Sequence, residues 1–451
     1  MEITMLQPIY PTPHPLAGEL VPLTIFDRAT FDLFVPTVRA YSTPAPSNKL
    51  VKESLARALA VYTHMAGRLV VDDQGRRFIH VNNRGALVIE VTVPADLADV
   101  LVDGTISNVG EVYPPLPEEN VGAPVFQVQL NRYRCGGLVM GIIYHHHVAD
   151  GTAMSSFIRM WARAAREGKD FIVPVPAPHV HDRALTAIPR GAPTPVFDHQ
   201  NIEFKGVNED GISISSKSHA VVPMEKIRSV MVHFTPEFIA ELKSCVGGRC
   251  STFQCLLAHV WKKLTVARGL HGEDFTKVRV AVNCRDRANH PVSADFFGNM
   301  VLWAFPRLQV RELLNSTYGR VVDVIRDAVS RINGEYIQSF VDFGAVADMS
   351  GEKLEATAPV AGTMLCPDLE IDSWLGFVRF HDMDLGTGPP CVFLPPDMPV
   401  EGLMVFMPSG TDKGGADLFI ALAEDHVDAF QQICLSLDCP EAGARFRSAR
   451  M

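Results

Sequence analysis

The stretch that decides the fold is "YHHHVADGTAM", residues 144–154. It joins two unlike patterns. Just before it, Leu138 to Ile143 is almost wholly apolar, the composition of a strand covered on both faces. Just after it begins, Met154, Phe157, Ile158 and Trp161 recur with the period of a half-buried helix. Three histidines, an aspartate and a glycine therefore stand where a buried strand gives way to a helix. Such a junction holds side chains rigidly beside a loop that can admit a ligand.

The triplet admits three readings. In an extended strand, His145 and His147 share a face and His146 points the other way. Two imidazoles on one face could hold zinc, but no cysteine or carboxylate stands at a zinc spacing, and no metal is assigned. A histidine at a strand end can also do no more than satisfy a backbone carbonyl. The third reading is catalytic: a neutral imidazole is the natural base for taking a proton from a hydroxyl or amine near neutral pH. The pattern is H-H-x-x-x-D-G, filled by His145, His146, Asp150 and Gly151. Asp150 can orient the imidazole or support the turn beneath it. Gly151 lets the chain turn sharply into the helix.

Upstream, "SNKLVKESLARALAVYTHMAGRL" places Leu50, Val51, Leu55, Leu59 and Tyr62 on one helical face, with Ser47 or Asn48 as cap and Gly67 as stop. The run from Pro124 pairs with the strand before the histidines through a turn at Gly136 and Gly137. Downstream, "VPVPAPHVHDRALTAIPRGAPTPVF" (173–197) is proline-rich and aperiodic, an extended linker. The chain thus divides into residues 1–172, a crossover linker over 173–222, and residues 223–451. The second half holds a helix, "STFQCLLAHVWKKL", capped by Ser251 or Thr252. It also holds "KVRVAVNCRDR", a strand entering a basic turn, and "DSWLGFVRFHDMDLGTGPP", a strand entering a glycine-rich loop.

Bulk properties bound the function. With 451 residues, 47% hydrophobic and 20% charged, the chain can bury full cores in two or three domains. A net charge of −10 with no basic patch argues against nucleic acid as a partner. The N-terminus has no signal-peptide pattern, and no apolar run approaches the roughly 18 residues of a membrane span. The nine cysteines include no C-x-x-C pair, which reads as reduced thiols in a cytoplasmic protein.

Taken together, these segments resemble the BAHD acyltransferases of plants, which move an acyl group from coenzyme A to an alcohol or amine. "LVKESLARALAVYTHMAGRL", "HHHVADG", "SFIRMWA", "STFQCLLAHVWK", "NCRDR" and "DFFGN" resemble that family's elements, in its order, over nearly the whole chain. The resemblance implies two α/β domains of mixed sheets, chloramphenicol-acetyltransferase-like, meeting along a channel that holds the active site. It implies His146 as general base and Asp150 as a structural carboxylate paired with Arg285. Acyl-CoA is then a co-substrate, and no cofactor is bound permanently. Ser251, Thr252 and Arg285 are the positions it places toward coenzyme A. The family's D-F-G-W-G signature becomes Asp384, Leu385, Gly386, Thr387 and Gly388 here, so Thr387 is the hydrogen-bond donor that could replace the lost tryptophan.

For the acceptor, the resemblance points to the strand carrying Thr37, Arg39 and Tyr41 and to Asp372 and Trp374 in "DSWLGF". Relatives that use shikimate carry an arginine where Gly376 stands, so an anionic acceptor lacks that partner. The overall look is similar to grass enzymes that make hydroxycinnamic or benzoic amides. The expectation is an aromatic acyl-CoA donor and an amine such as agmatine, putrescine, tyramine or tryptamine. Ester formation with an alcohol or hydroxy acid, and a non-catalytic acyl-CoA-binding relative, are the alternatives. A monomer is expected.

Overall fold

The computed structural model describes residues 1–9, 14, 16–102, 105–106, 109–174, 182–204, 206–207, 213–214, 220–289, 292–293, 296–395 and 398–438. The N-terminal sheet has six strands in the order Glu2–Leu6, Ala86–Val93, Phe126–Tyr133, Leu138–His145, Phe34–Tyr41 and Val392–Leu394. It is mixed: Ala86–Val93 and Phe126–Tyr133 run parallel and their neighbours antiparallel. The strand leading to the histidines lies inside this sheet, with Tyr144 opposite Phe126 on one side and Val35 on the other.

Alternation along that strand explains its apolar run. Leu138, Met140, Ile142 and Tyr144 pack into the main N-terminal core, while Val139 packs into a second cluster with Val38, Ala40 and Tyr133. Both faces are covered, so both parities must be apolar. The helix Asn48–Val61 begins where Ser47 accepts from the Leu50 amide at 3.2 Å, and a 3-10 turn over Thr63–Ala66 carries the chain to Gly67. The helix Gly151–Glu167 packs on it. Trp161 Nε1 donates to Ser54 Oγ at 3.0 Å and to the Val51 carbonyl at 3.1 Å, so the indole is buried with its polar atom paired.

The second sheet runs Ile227–Phe234, Ala416–Ala423, Leu403–Pro408, Leu369–Ser373, Phe275–Asn283 and Val301–Ala304, with Arg307–Gln309 also on Phe275–Asn283. Leu369–Ser373 is parallel to both neighbours, so this sheet is mixed too. Val278, Val280, Ile371, Met404 and Ile420 point into a core shared with helices Pro236–Val246, Thr252–Ala267 and Tyr318–Ser330. On the opposite face Val405, Met407 and Ala421 belong to the N-terminal core.

Packing crosses the expected bounds of 1–172 and 223–451 in both directions. Phe26 lies in the C-terminal core, its ring 5.6 Å from that of Phe340. Val378, Met383, Leu385 and Phe393 lie in the N-terminal core, and Val392–Leu394 is an edge strand of the N-terminal sheet. The linker is pinned as well. Ile202–Phe204 pairs with Leu354–Ala356, and the Arg183 side chain is wholly buried. Cys245 is disulfide-bonded, so the expectation of nine reduced thiols does not hold there; Cys135, Cys250, Cys255, Cys284, Cys366, Cys391 and Cys434 are free.

Gly141 shows how tightly the histidine-bearing strand is covered. A Cβ there would stand 2.1 Å from the Val112 carbonyl oxygen and 2.5 Å from Tyr113 Cα. Gly141→Ala should lower stability by about 1–3 kcal/mol, the range for overpacking a filled core. Gly191→Ala, with nothing within 4 Å of the added atom, should stay within about 0.5 kcal/mol of wild type. Urea unfolding of the two variants checks this.

Candidate active site

The chain turns from strand to helix over His145 to Asp150, and almost every polar group in this turn is held. The His146 amide donates to the Leu33 carbonyl at 3.0 Å, and the Val148 amide to the His145 carbonyl at 2.9 Å. The carbonyls on its other side are held by side chains from distant segments. Asn299 Nδ2 donates to the His146 carbonyl at 2.8 Å. Arg183 donates to the His147 carbonyl at 3.1 Å and the Val148 carbonyl at 2.7 Å. Asp27 binds both donors: Asn299 Nδ2 at 2.9 Å, and Arg183 in a buried ion pair. A carboxylate from the first helical turn, an arginine from the linker and an asparagine from "DFFGN" thus meet under one loop. Asp27 and Arg183 were not singled out from the sequence. The only local signal for Arg183 was a charged "HDR" inside a proline-rich segment.

Asp150 closes the turn. Its carboxylate caps the following helix through the Ala153 amide at 2.9 Å and accepts from the Met300 amide at 3.0 Å. Arg285 grips it with both terminal nitrogens, at 2.8 and 3.0 Å, and also donates to the Gly298 carbonyl at 2.9 Å. Burial pushes the Asp150 carboxyl up, but the Arg285 charge, its hydrogen bonds and the two amides outweigh that, and it lies below the usual carboxylate range. Arg285, also expected toward coenzyme A, has its fork filled by Asp150 and is not free to hold a phosphate. Gly151 is needed for space, not for a left-handed turn: it is not among the positive-φ glycines, and a Cβ would stand 2.7 Å from Phe377 Cζ.

His146 is the partly open member of the triplet, against buried His145 and His147. Its Nδ1 is enclosed without a hydrogen-bond partner, which leaves Nε2 as the nitrogen open for proton transfer. Burial drives its pKa below the ordinary histidine value, opposed by its own backbone carbonyl, Asp150 and Asn299. The imidazole is neutral at pH 7, the state a general base requires.

His145 and His147 do share a face, and a carboxylate does reach them, from Asp32. The three groups lie within 4.8 Å of one another. The sequence spacing could not reveal this partner. The His147 amide donates to His145 Nδ1 at 3.2 Å, so in the neutral ring the proton sits on Nε2, 3.3 Å from Asp32. Arg77 pairs with Asp32 at 2.5 Å and supplies its counter-charge.

A cavity opens beside the start of the helix Gly151–Glu167. Thr37, Arg39, Tyr144, Met154, Trp374 and Phe393 are among its walls. Of the expected acceptor residues, Thr37, Arg39 and Trp374 line it. Tyr41 does not: it is buried, with its hydroxyl on the Met383 carbonyl at 2.9 Å. Asp372 does not line it either. It sits on the second sheet near Glu370 and Arg279, where burial and the Glu370 charge push its pKa up to about 7 against the pull of Arg279.

Thr387 is misplaced for catalysis. Asp384 folds the loop on itself by accepting from the Gly386 and Gly388 amides at 2.7 and 2.9 Å, with both glycines at positive φ. The Asp384 carbonyl is fastened to Arg166, near the far end of the helix that Gly151 begins. Arg166 is about 24 Å from Asp150 at helical rise. Thr387 is exposed there and cannot reach an oxyanion beside His146. Ser251 and Thr252 begin the helix Thr252–Ala267: Ser251 forms a capping box with Gln254, and Thr252 Oγ1 receives Lys243 Nζ at 2.9 Å.

Known proteins resemble the chain over nearly its whole length. The model of the family described as "Transferase family" matches residues 1–437. The chain is 59% identical to tryptamine benzoyltransferase 1 of Oryza sativa subsp. japonica, covering 97% of this chain and 98% of the relative. It is 54% identical to tryptamine hydroxycinnamoyltransferase 2 from the same source, over 97% and 99%, and 38% identical to agmatine hydroxycinnamoyltransferase 1, over 94% of each. Among solved structures, vinorine synthase superposes with a TM-score of 0.70 at 19% identity over 95% of each chain, which establishes the shared two-domain fold. No helix among the described residues is long and apolar enough to cross a membrane. The chain belongs to this transferase family, the BAHD acyl-CoA-dependent acyltransferases.

Proposed function

We propose that the protein transfers an aromatic acyl group, hydroxycinnamoyl or benzoyl, from coenzyme A to an amine to form an amide, with His146 as general base. The observation that carries this reading is the neutral, partly open imidazole of His146 on a loop locked from three directions; Tyr144 and Gly151, before and after it in the chain, line a largely apolar cavity that His146 itself does not line. Relatives named for tryptamine, agmatine and putrescine support an amine acceptor over an alcohol.

The amine nitrogen attacks the thioester carbonyl while His146 Nε2 takes its proton. The tetrahedral intermediate collapses, the C–S bond breaks, and the imidazolium returns the proton to the CoA thiolate. Asp150 and Arg285 hold the loop and do not touch the reacting atoms. For coenzyme A we favour the start of the helix Thr252–Ala267, where free amides meet the Lys243 ammonium and Thr252. The base and the cavity come from one chain, which supports a working monomer; the seven free thiols among the described residues support a cytoplasmic setting, against the single disulfide at Cys245. The altered Asp384–Gly388 loop argued for a retired enzyme, and its distance from His146 removes that argument.

The test is amide formation. Benzoyl-CoA and hydroxycinnamoyl-CoA offered with tryptamine should release thiol and give the amide by mass, and His146→Ala should lower the rate by about 10²–10⁴-fold. Ester formation with alcohols and none with amines would overturn the reading. The pH profile should be two-staged. The acceptor amine, with a pKa of about 10, gives log kcat/KM a slope of one from neutral pH upward. Below the lowered pKa of His146, under pH 6.5, the base protonates too and the slope becomes two.

Asp150→Ala should cost about 3–5 kcal/mol of stability as well as rate, because it leaves Arg285 buried without its counter-charge. Adding Arg285→Met should recover part of the stability. Additive losses in this double-mutant cycle would remove the pair from its structural role.

A further inference from the structure

Arg39 is a buried cation with no carboxylate of its own. It projects from the strand Phe34–Tyr41, is 5% exposed, and forms part of the cavity wall. Its partners are neutral. Nε donates to Met383 Sδ at 3.2 Å, one terminal nitrogen donates to Thr37 Oγ1 at 3.0 Å, and the guanidinium stacks 4.5 Å over the Phe393 ring. No ion pair to Arg39 is formed among the described residues. Burial lowers its pKa to about 10, so it still carries its charge at neutral pH.

One nearby acid, Asp382, lines the cavity; Arg159 lies 4.0 Å from its Oδ2, an enclosed oxygen that accepts no hydrogen bond. Asp384 is occupied by the amides of its own turn. Glu370 and Asp372 stand outside the lining, beside Arg279, and burial raises the pKa of both. Arg379 adds a second positive residue to the wall. Most of the rest of the lining, including Met154, Ile158, Phe377 and Trp374, is apolar or aromatic, with Ser155 and Thr37 as polar members.

We propose that Arg39 is a specificity-determining residue that bars acceptors carrying a second positive charge, so that the cavity admits aromatic monoamines and rejects diamines and guanidino amines. This rests on the amide-forming reading and narrows its acceptor class. Two like charges about 6 Å apart at an effective dielectric of about 20 repel by roughly a hundredfold in affinity. An aromatic ring meets the opposite condition, since its π-face attracts a guanidinium. The ring end of the acceptor would lie among Arg39, Trp374 and Phe393, with its amine at the Tyr144 and Gly151 end of the cavity.

The test uses two acceptors, 4-methylphenethylamine and 4-(aminomethyl)phenethylamine, which differ by one ammonium. Wild type should favour the methyl compound by at least 30-fold, both in kcat/KM and in calorimetric binding without acyl-CoA. Arg39→Lys should keep the preference. Arg39→Met should narrow it at least tenfold and Arg39→Glu further, with melting curves showing which variants are folded. A ratio that stays within twofold in Arg39→Met, or a wild type that takes both compounds equally, would overturn the proposal. Absence of amide with any acceptor would instead sink the reaction reading, and the binding ratio would still judge Arg39.

Discussion

Two buried ion pairs beneath one turn hold this structure to its chemistry. Asp27 with Arg183 and Asp150 with Arg285 bracket residues 146 to 150, and Asn299 joins the first pair to the His146 carbonyl. Their members come from the first helical turn, the histidine motif, the linker and the second half of the chain. Desolvated charges persist only when their remaining hydrogen-bonding capacity is met. Here most of it is met by the carbonyls of His147, Val148 and Gly298 and the amides of Ala153 and Met300, with Arg183 Nε left without a hydrogen-bond partner. Stability and the placement of His146 are therefore one requirement: the loop takes its active shape only when both halves and the linker are docked.

This explains why neither half is self-contained. Phe26 fills the C-terminal core, and Phe393 with Met383 fills the N-terminal one. The exchange builds the cavity, because its walls are a strand of one half and a loop of the other. Residues 374–394 leave the second sheet after Ser373, run along the helix Gly151–Glu167, and end as an edge strand of the first sheet. Arg39 owes its neutral surroundings to this loop, which brings Met383 and Phe393 against it. Charge selection in the cavity is thus a consequence of how the halves interlock.

Much of this was legible in the chain. The double-faced apolar run gave an interior strand, and the periodicity from Met154 gave the helix after it. Serine caps at Ser47 and Ser251 stand where the pattern placed them. The Asp150–Arg285 contact came through motif resemblance. What spacing could not give were partners remote in sequence. Asp32 beside His145 and His147, and Asp27 with Arg183 beneath them, sit in segments whose local pattern says only loop or linker. Thr387 failed for the converse reason: a loop whose signature resembled part of a site lies at the far end of a helix.

The sequence by itself determined the local elements, because periodicity, caps and turn glycines act over a few residues and need no distant partner. It also determined that His146 would end a buried strand and that its motif was that of an acyltransferase. Tertiary structure decided which nitrogen of that histidine is left open, which carboxylates are bound and which cation is left facing the cavity. Those outcomes depend on desolvation and on ion pairing between groups more than a hundred residues apart, and only the folded arrangement of the two halves sets them.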